Sequence, residues 1–200
     1  MPTTYPVQNP LSRFTRLYAQ AQAVDRALLK EPNAMSLATV GMAGAPSVRM
    51  VLMKHFDEDG FVFYTNLEGR KGRELRTRPS AALCFHWPPL DVQVRVEGSV
   101  TQVSDAEADE YWTTRERSSQ ISAWASQQSQ PIENADDLML RFAEVEKKYE
   151  GQPVPRPPFW SGFRLRPDRI EFWKGKPSRL HERHLYVRSG DSWTMETLYP

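Results

Sequence analysis

One cysteine, Cys84, stands in 200 residues, so an intrachain disulfide is excluded. It lies in the apolar run AALCFHW, where a buried structural thiol is expected. No hydrophobic run reaches the length of a membrane span. The opening MPTTYPVQNP has no basic segment followed by an apolar one, so it does not read as a secretory signal. A reducing cytoplasm is the expected compartment. An excess of either charge is also lacking: 26 Lys and Arg face 25 Asp and Glu, a formal net charge of +1. That argues against a general nucleic-acid binder, which carries a marked basic excess. There is no internal repeat and no low-complexity tract. With 40% hydrophobic residues, residues 1–200 suit a single domain with a real core.

Residues 1–8 are polar and proline-containing and read as a mobile arm. NPLSRFTRLYAQAQAVDRALLK then places Leu11, Phe14, Leu17, Tyr18, Ala21, Val24 and Leu28 at helical spacing, with Asn9 as cap and Pro10 in the first turn. From Ala34 to Val103 short β-rich runs alternate with turns; GMAGAP and DEDG suit hairpins. EGRKGRELRTRP interrupts them with a short helix. SDAEADEYWTTR opens with Ser104 and Glu107 in capping-box spacing, and ADDLMLRFAEVEKKYEG is a further amphipathic helix. After the proline-rich QPVPRPPFW the chain returns to strands, with RSGDSW as a hairpin turn. The expected fold is mainly β with helices (α+β): a β-barrel decorated by helices.

In this nearly neutral chain the cations are local. RMVLMKHFDEDGFVFYTNLEGRKGREL holds Arg49 and Lys54 around an apolar run, and Arg70, Lys71 and Arg73 at a helix entrance. Strand alternation would put Arg49 and Lys54 on opposite faces. Glycines around Arg70 and Lys71 expose backbone N–H groups where the helix dipole favours an anion. A phosphate fits there; a solvated helix end accounts for the stretch equally well. In RLHER, an extended backbone would bring Arg179, His181 and Arg183 to one face.

In order and spacing, FVFYTN with GRK, VQVRVEG, YWTTRERSSQISAWASQQS, FWSGFR, IEFW and RLHER together resemble the pyridoxamine 5′-phosphate oxidase family, from about Asn9 to Pro200. The resemblance implies an FMN-binding split β-barrel that forms a homodimer, with FMN between the subunits. It implies oxidation of pyridoxamine 5′-phosphate and pyridoxine 5′-phosphate to pyridoxal 5′-phosphate by hydride transfer to FMN, with oxygen as acceptor and hydrogen peroxide released. No metal, membrane or nucleic acid is implied. FMN would be held by Arg49, Met50, Val51, Leu52, Met53, Lys54, Tyr64, Thr65, Arg70, Lys71, Gln93, Gln128, Ser129, Trp173 and Arg183. The substrate phosphate would be held by Lys54, Tyr111, Arg115 and Ser119. Arg179 and His181 would lie over the substrate ring as the catalytic pair. Two positions depart from the family pattern. The segment before Asn9 has Tyr5 but no arginine, and Thr197 stands where an arginine is usual. The alternatives are a related flavin oxidase of another substrate, such as a phenazine precursor, and a non-catalytic FMN or pyridoxal phosphate carrier.

Overall fold

The computed structural model describes residues 9–200; the arm expected over 1–8, with Tyr5, lies outside them. Helix α1 spans Pro10–Ala23, with the Asn9 side chain accepting from the Leu11 amide. It ends earlier than its periodicity suggested. Asp25 accepts from the Ala27 amide through its carboxylate and from Leu28 and Leu29 through its carbonyl, starting a separate turn. Leu28 is left exposed.

Nine strands follow, interleaved with four helices: β1 Ala34–Val40, β2 Pro46–Leu52, β3 His55–Asp57, β4 Gly60–Asn66, α2 Arg70–Thr77, β5 Ser80–Trp87, β6 Val92–Gln102, α3 Asp105–Thr113, α4 Arg117–Ala125, α5 Asp136–Lys148, β7 Trp160–Lys174, β8 Glu182–Ser189 and β9 Ser192–Leu198. All pairings are antiparallel, in the order β2-β1-β5-β6-β7-β4-β3, with β8 and β9 continuing from β7. This curled half-barrel with five helices bears out the α+β reading. The run SVRMVLMKHF is not one strand. Asn33 exchanges backbone and side-chain hydrogen bonds with Met53, and the chain breaks between β2 and β3. Helix α4 was not anticipated. Its sequence RSSQISAWA buries only Ile121 and Ala125, too few apolar positions to signal a period.

Strand β7 is the longest, and its two ends serve different neighbours. Residues Trp160–Leu165 pair with β4, Arg169–Lys174 pair with β8, and β6 runs along the opposite edge. The sheet bends where the β6–β7 register shifts at Glu97 and Gly98. A Cβ on Gly98 would meet the Arg166 carbonyl oxygen at 1.9 Å, so this close crossing requires glycine. No helix among the described residues is long and apolar enough to cross a membrane.

The core is apolar and rich in aromatics. Phe14 of α1, fully buried, sits edge-on to Phe56, Phe61 and Phe85 at centroid distances of 4.9, 4.9 and 5.0 Å. A second cluster of Trp112, Ile121, Val154 and Trp160 lies where α3 and α4 meet the start of β7. Phe14→Ala should cost about 3–5 kcal/mol, because α1 would lose its anchor and the cavity could not collapse. Urea unfolding measures this; a loss under 1 kcal/mol would show that α1 is not an integral part of the core.

Candidate functional site

Two regions hold the residues singled out in the sequence. The first is a cleft of about 590 Å³ whose lining includes Arg49, Met50, Val51, Leu52 and Lys54 from β2 and the segment after it. Tyr64 and Thr65 of β4, Lys71 of α2, and Arg115, Ser119 and Gln128 from the α3–α4 side also line it; Arg70 and Tyr111 do not. Arg49 and Lys54 therefore share one cleft, contrary to the opposite-face expectation. Lys54 lies beyond the end of β2, so strand alternation does not govern it. Four cations and no carboxylate line this space.

Gly69 is the N-cap of helix α2, and a Cβ there would fall 2.7 Å from Gln128 Oε1. The missing side chain lets Gln128 reach Lys71. Lys71 Nζ donates to Gln128 Oε1 at 2.6 Å and to Thr65 Oγ1 at 3.0 Å. Burial, and then the Arg49 charge, push the Lys71 ammonium below the usual lysine range. No carboxylate pairs with it among the described residues. Arg70 is turned to Glu74, with Nε 2.9 Å from Oε1.

Across the cleft, Tyr64, Tyr111 and Trp160 form a cluster of near-parallel rings, with Tyr64 4.0 Å from Tyr111 (12°) and 5.2 Å from Trp160 (8°), and Tyr111 6.2 Å from Trp160 (6°). Burial, and then the Glu107 and Tyr111 charges, push the Tyr64 phenol up to about 12, so it stays a neutral hydrogen-bonding group. The Arg115 guanidinium lies 4.9 Å over the Trp160 ring and 5.6 Å over Trp112. Its Nη2 donates to the Ser119 carbonyl at 3.0 Å, while its Nε is buried without a partner. Burial disfavours its charge, and no carboxylate pairs with it among the described residues. Aromatic faces hold this cation, and its charge, unmet by any carboxylate, suits an anion in the cleft.

The second region is a row across three strands. Gln93 of β6 lies opposite Trp173 of β7, and Trp173 lies opposite Arg183 of β8. Buried Glu171, on the same face, accepts from Arg183 at 2.8 and 3.2 Å and from Arg95. Burial, which raises the Glu171 pKa, is outweighed by these arginines, so it stays ionised. Arg179 and His181 stand at the end of this row, but not on a strand. β8 begins only at Glu182, so the single extended face expected for RLHER is not formed. Pro177–Arg179 makes a tight turn in which Ser178 and Arg179 both adopt positive φ, 57° and 60°. Two successive non-glycine residues in this region are strained backbone. His181 Nδ1 accepts from the Lys176 amide at 3.2 Å, which puts the ring proton of the neutral form on Nε2, and the ring packs 4.6 Å from Trp173.

None of Gln93, Trp173, Arg179, His181 or Arg183 lines the first cleft. Trp160 at the cleft and Trp173 in the row stand thirteen residues apart on β7, roughly 40 Å of strand. Met53 also stands apart, its side chain buried in the core. Ser129, with φ of 71°, faces a neighbouring groove of about 700 Å³ against α5. Thr197 pairs with His184 on β8. Sequence reasoning missed Trp160 and Glu74. Trp160 was visible in the FWSGFR block, and Glu74 in its i, i+4 spacing from Arg70.

A half-barrel that splits a cationic, acid-free cleft and an aromatic–arginine row between opposite ends of one strand defines the class: a split-barrel protein of the flavin-binding type. The chain belongs to the pyridoxamine 5′-phosphate oxidase family. Residues 22–149 match the model described as pyridoxamine 5′-phosphate oxidase, and 160–200 match the pyridoxine 5′-phosphate oxidase C-terminal dimerisation region. The chain is 58% identical over 192 residues to a pyridoxine/pyridoxamine 5′-phosphate oxidase of Myxococcus xanthus, covering 96% of this chain and 92% of that one. It is 53% identical to the protein of that name from Rubrobacter xylanophilus, over 96% and 87% of the two chains. Among solved structures, PhzG from Burkholderia lata, in complex with tetrahydrophenazine-1-carboxylic acid, superposes with a TM-score of 0.90 at 32% identity, covering 98% of this chain and 94% of that one. A pyridoxamine 5′-phosphate oxidase-related, FMN-binding protein from Nostoc punctiforme shares the fold, with a TM-score of 0.76 at 19% identity over 97% and 98% of the chains.

Because Arg115 is a half-buried cation without a counter-charge, Arg115→Met should leave stability unchanged or raise it by up to about 2 kcal/mol. The same variant should lose inorganic phosphate binding, read by tryptophan fluorescence. Clear destabilisation would mean that Arg115 is a structural residue.

Proposed function

We propose that the chain is one subunit of a homodimeric, FMN-dependent oxidase. It converts pyridoxamine 5′-phosphate and pyridoxine 5′-phosphate to pyridoxal 5′-phosphate, with oxygen as acceptor and hydrogen peroxide as the second product. The observation that carries this reading is Arg115, a cation on two indole faces with a buried, unpartnered Nε beside an acid-free cleft. Such a group suits a phosphorylated substrate.

The residues present fit two phosphates. Lys71, with Arg49, Arg70, Thr65, Gln128 and Ser129, would take the FMN phosphate. The segment Met50–Lys54 and Tyr64 would lie along the rest of the cofactor, with Met53 offering only its backbone. Lys54, Tyr111, Arg115 and Ser119 would take the substrate phosphate. Gln93, Trp173 and Arg183 would complete the flavin site from a second copy, since one chain cannot bring both ends of β7 to one small ligand. The same copy would set Arg179 and His181 over the substrate ring. The edge strand β2 supports a second copy: Val48, Met50 and Leu52 are exposed on one face, an uncovered apolar strand edge in a single chain.

FMN, when bound, supplies the hydride acceptor and passes the electrons to oxygen. The chain supplies position and charge. The substrate phosphate fixed by Arg115 and Lys54 sets where the 4′ carbon lies. The Arg179 guanidinium orients and polarises; it is no general base. His181 is held in the tautomer that presents Nε2–H as a donor.

A second reading, oxidation of a phenazine precursor, draws on the likeness to PhzG. The unpaired Arg115 favours the phosphorylated substrate. Anaerobic spectra with FMN decide between them. Pyridoxine 5′-phosphate should bleach the flavin bands, with recovery in air; no bleaching with either phosphorylated vitamer would overturn the proposal. Arg179→Ala should lower kcat about 100-fold while FMN affinity stays within about twofold. Equal loss of both would contradict its assigned place.

A further inference from the structure

Glu74 is a buried carboxylate for which the reading above has no task. It sits on α2 one turn after Arg70, with its side chain 8% exposed. Its Oε2 accepts from Thr39 Oγ1 at 2.5 Å, Ser47 Oγ at 2.7 Å and Arg49 Nη2 at 3.3 Å. Its Oε1 accepts from Arg70 Nε at 2.9 Å. One carboxylate thus joins β1, β2 and α2. Burial, which raises its pKa, is outweighed by the hydrogen bonds from Ser47, Thr39 and Arg70, and the group is held at about 2. Arg49 also donates to the Leu37 carbonyl, Thr39 Oγ1 and Ser47 Oγ, so Nε is the one donor it keeps for the cleft. Arg70 gives Glu74 only Nε; among the described residues its Nη1 and Nη2 form no hydrogen bond, and its side chain is 58% exposed.

We propose that Glu74 is a positioning residue for the cofactor phosphate. It locks Arg49 and Arg70 in place and reduces the charge of Arg49, Arg70 and Lys71 to a net +2, the match to a phosphate monoester dianion. The proposal rests on the reading that FMN binds with its phosphate beside Lys71. An exposed i, i+4 pair would only support the helix. Glu74 is instead buried and bonded across three elements, as a group that sets the geometry of its neighbours must be.

The test compares FMN with riboflavin, which lacks the phosphate, by fluorescence titration of the flavin-free full chain. Glu74→Gln should raise the FMN Kd about tenfold and leave that of riboflavin within about twofold. A merely structural role would move both alike. Lys71→Ala separates this inference from the reading beneath it. If Lys71→Ala leaves FMN affinity unchanged, the phosphate is not bound here and both fall. If Lys71→Ala weakens FMN while Glu74→Gln does not, or tightens it, or weakens riboflavin equally, the Glu74 role alone is overturned. Should Glu74→Gln fail to fold, Thr39→Val, which changes no charge, should raise the FMN Kd about threefold and spare riboflavin.

Discussion

Strand β7 is the constraint on which the rest depends. One edge pairs with β6 from Val92 to Gln102, while the other passes from β4 to β8. The start of β7 carries Trp160, the shelf beneath Arg115 and a member of the near-parallel cluster with Tyr64 and Tyr111. The far end carries Glu171 and Trp173, which hold Arg183 and His181. A strand of this length is stiff when paired on both edges. It therefore fixes both half-sites and keeps them apart within one chain. In the proposed dimer, closure around a small ligand comes from a second copy, related so that the start of one β7 meets the far end of the other.

Charge is distributed by the same logic. A nearly neutral chain hides three kinds of cation. Arg164 is matched by Asp57 and Glu107, at 2.6 and 3.1 Å, and is structural. Arg49, Arg70 and Arg183 are each held on one side by a buried carboxylate, Glu74 or Glu171. Lys71 and Arg115 have no acid, only neutral oxygens and aromatic faces. Leaving them uncompensated costs stability in the unliganded chain, a cost that anion binding removes. Lys71 and Arg115 are the cleft cations proposed to meet the two phosphates.

Much of this was legible before the structure. The alternation of VQVRVEGSVTQV reappears as buried and exposed positions along β6, and the hairpin turns fall at Gly44, Gly60 and Gly190, all with positive φ. What was not legible depends on contacts made after folding. Asp25 ends α1 by a side-chain hydrogen bond that helical periodicity cannot register. Asn33 detaches Lys54 from β2 and so changes its face. Ser178 and Arg179 turn left-handed without a glycine to signal it. Glu74, one acid among basic residues, reads in sequence as a surface pair; only the packing of α2 on β1 and β2 makes it a buried hub.

The claim most exposed to test is that each site is built from two copies. Arg115→Met and Arg179→Ala homodimers, each inactive, can be mixed, dissociated and reassociated. If Arg115 and Arg179 of different copies share a site, each mixed dimer has one unaltered site and one doubly altered site. Roughly a quarter of wild-type activity should then return, since about half the dimers are mixed and one of their two sites works. If both residues served a site within one chain, every site in the mixture would carry a substitution. No recovery, with mixed dimers shown to have formed, would contradict the account.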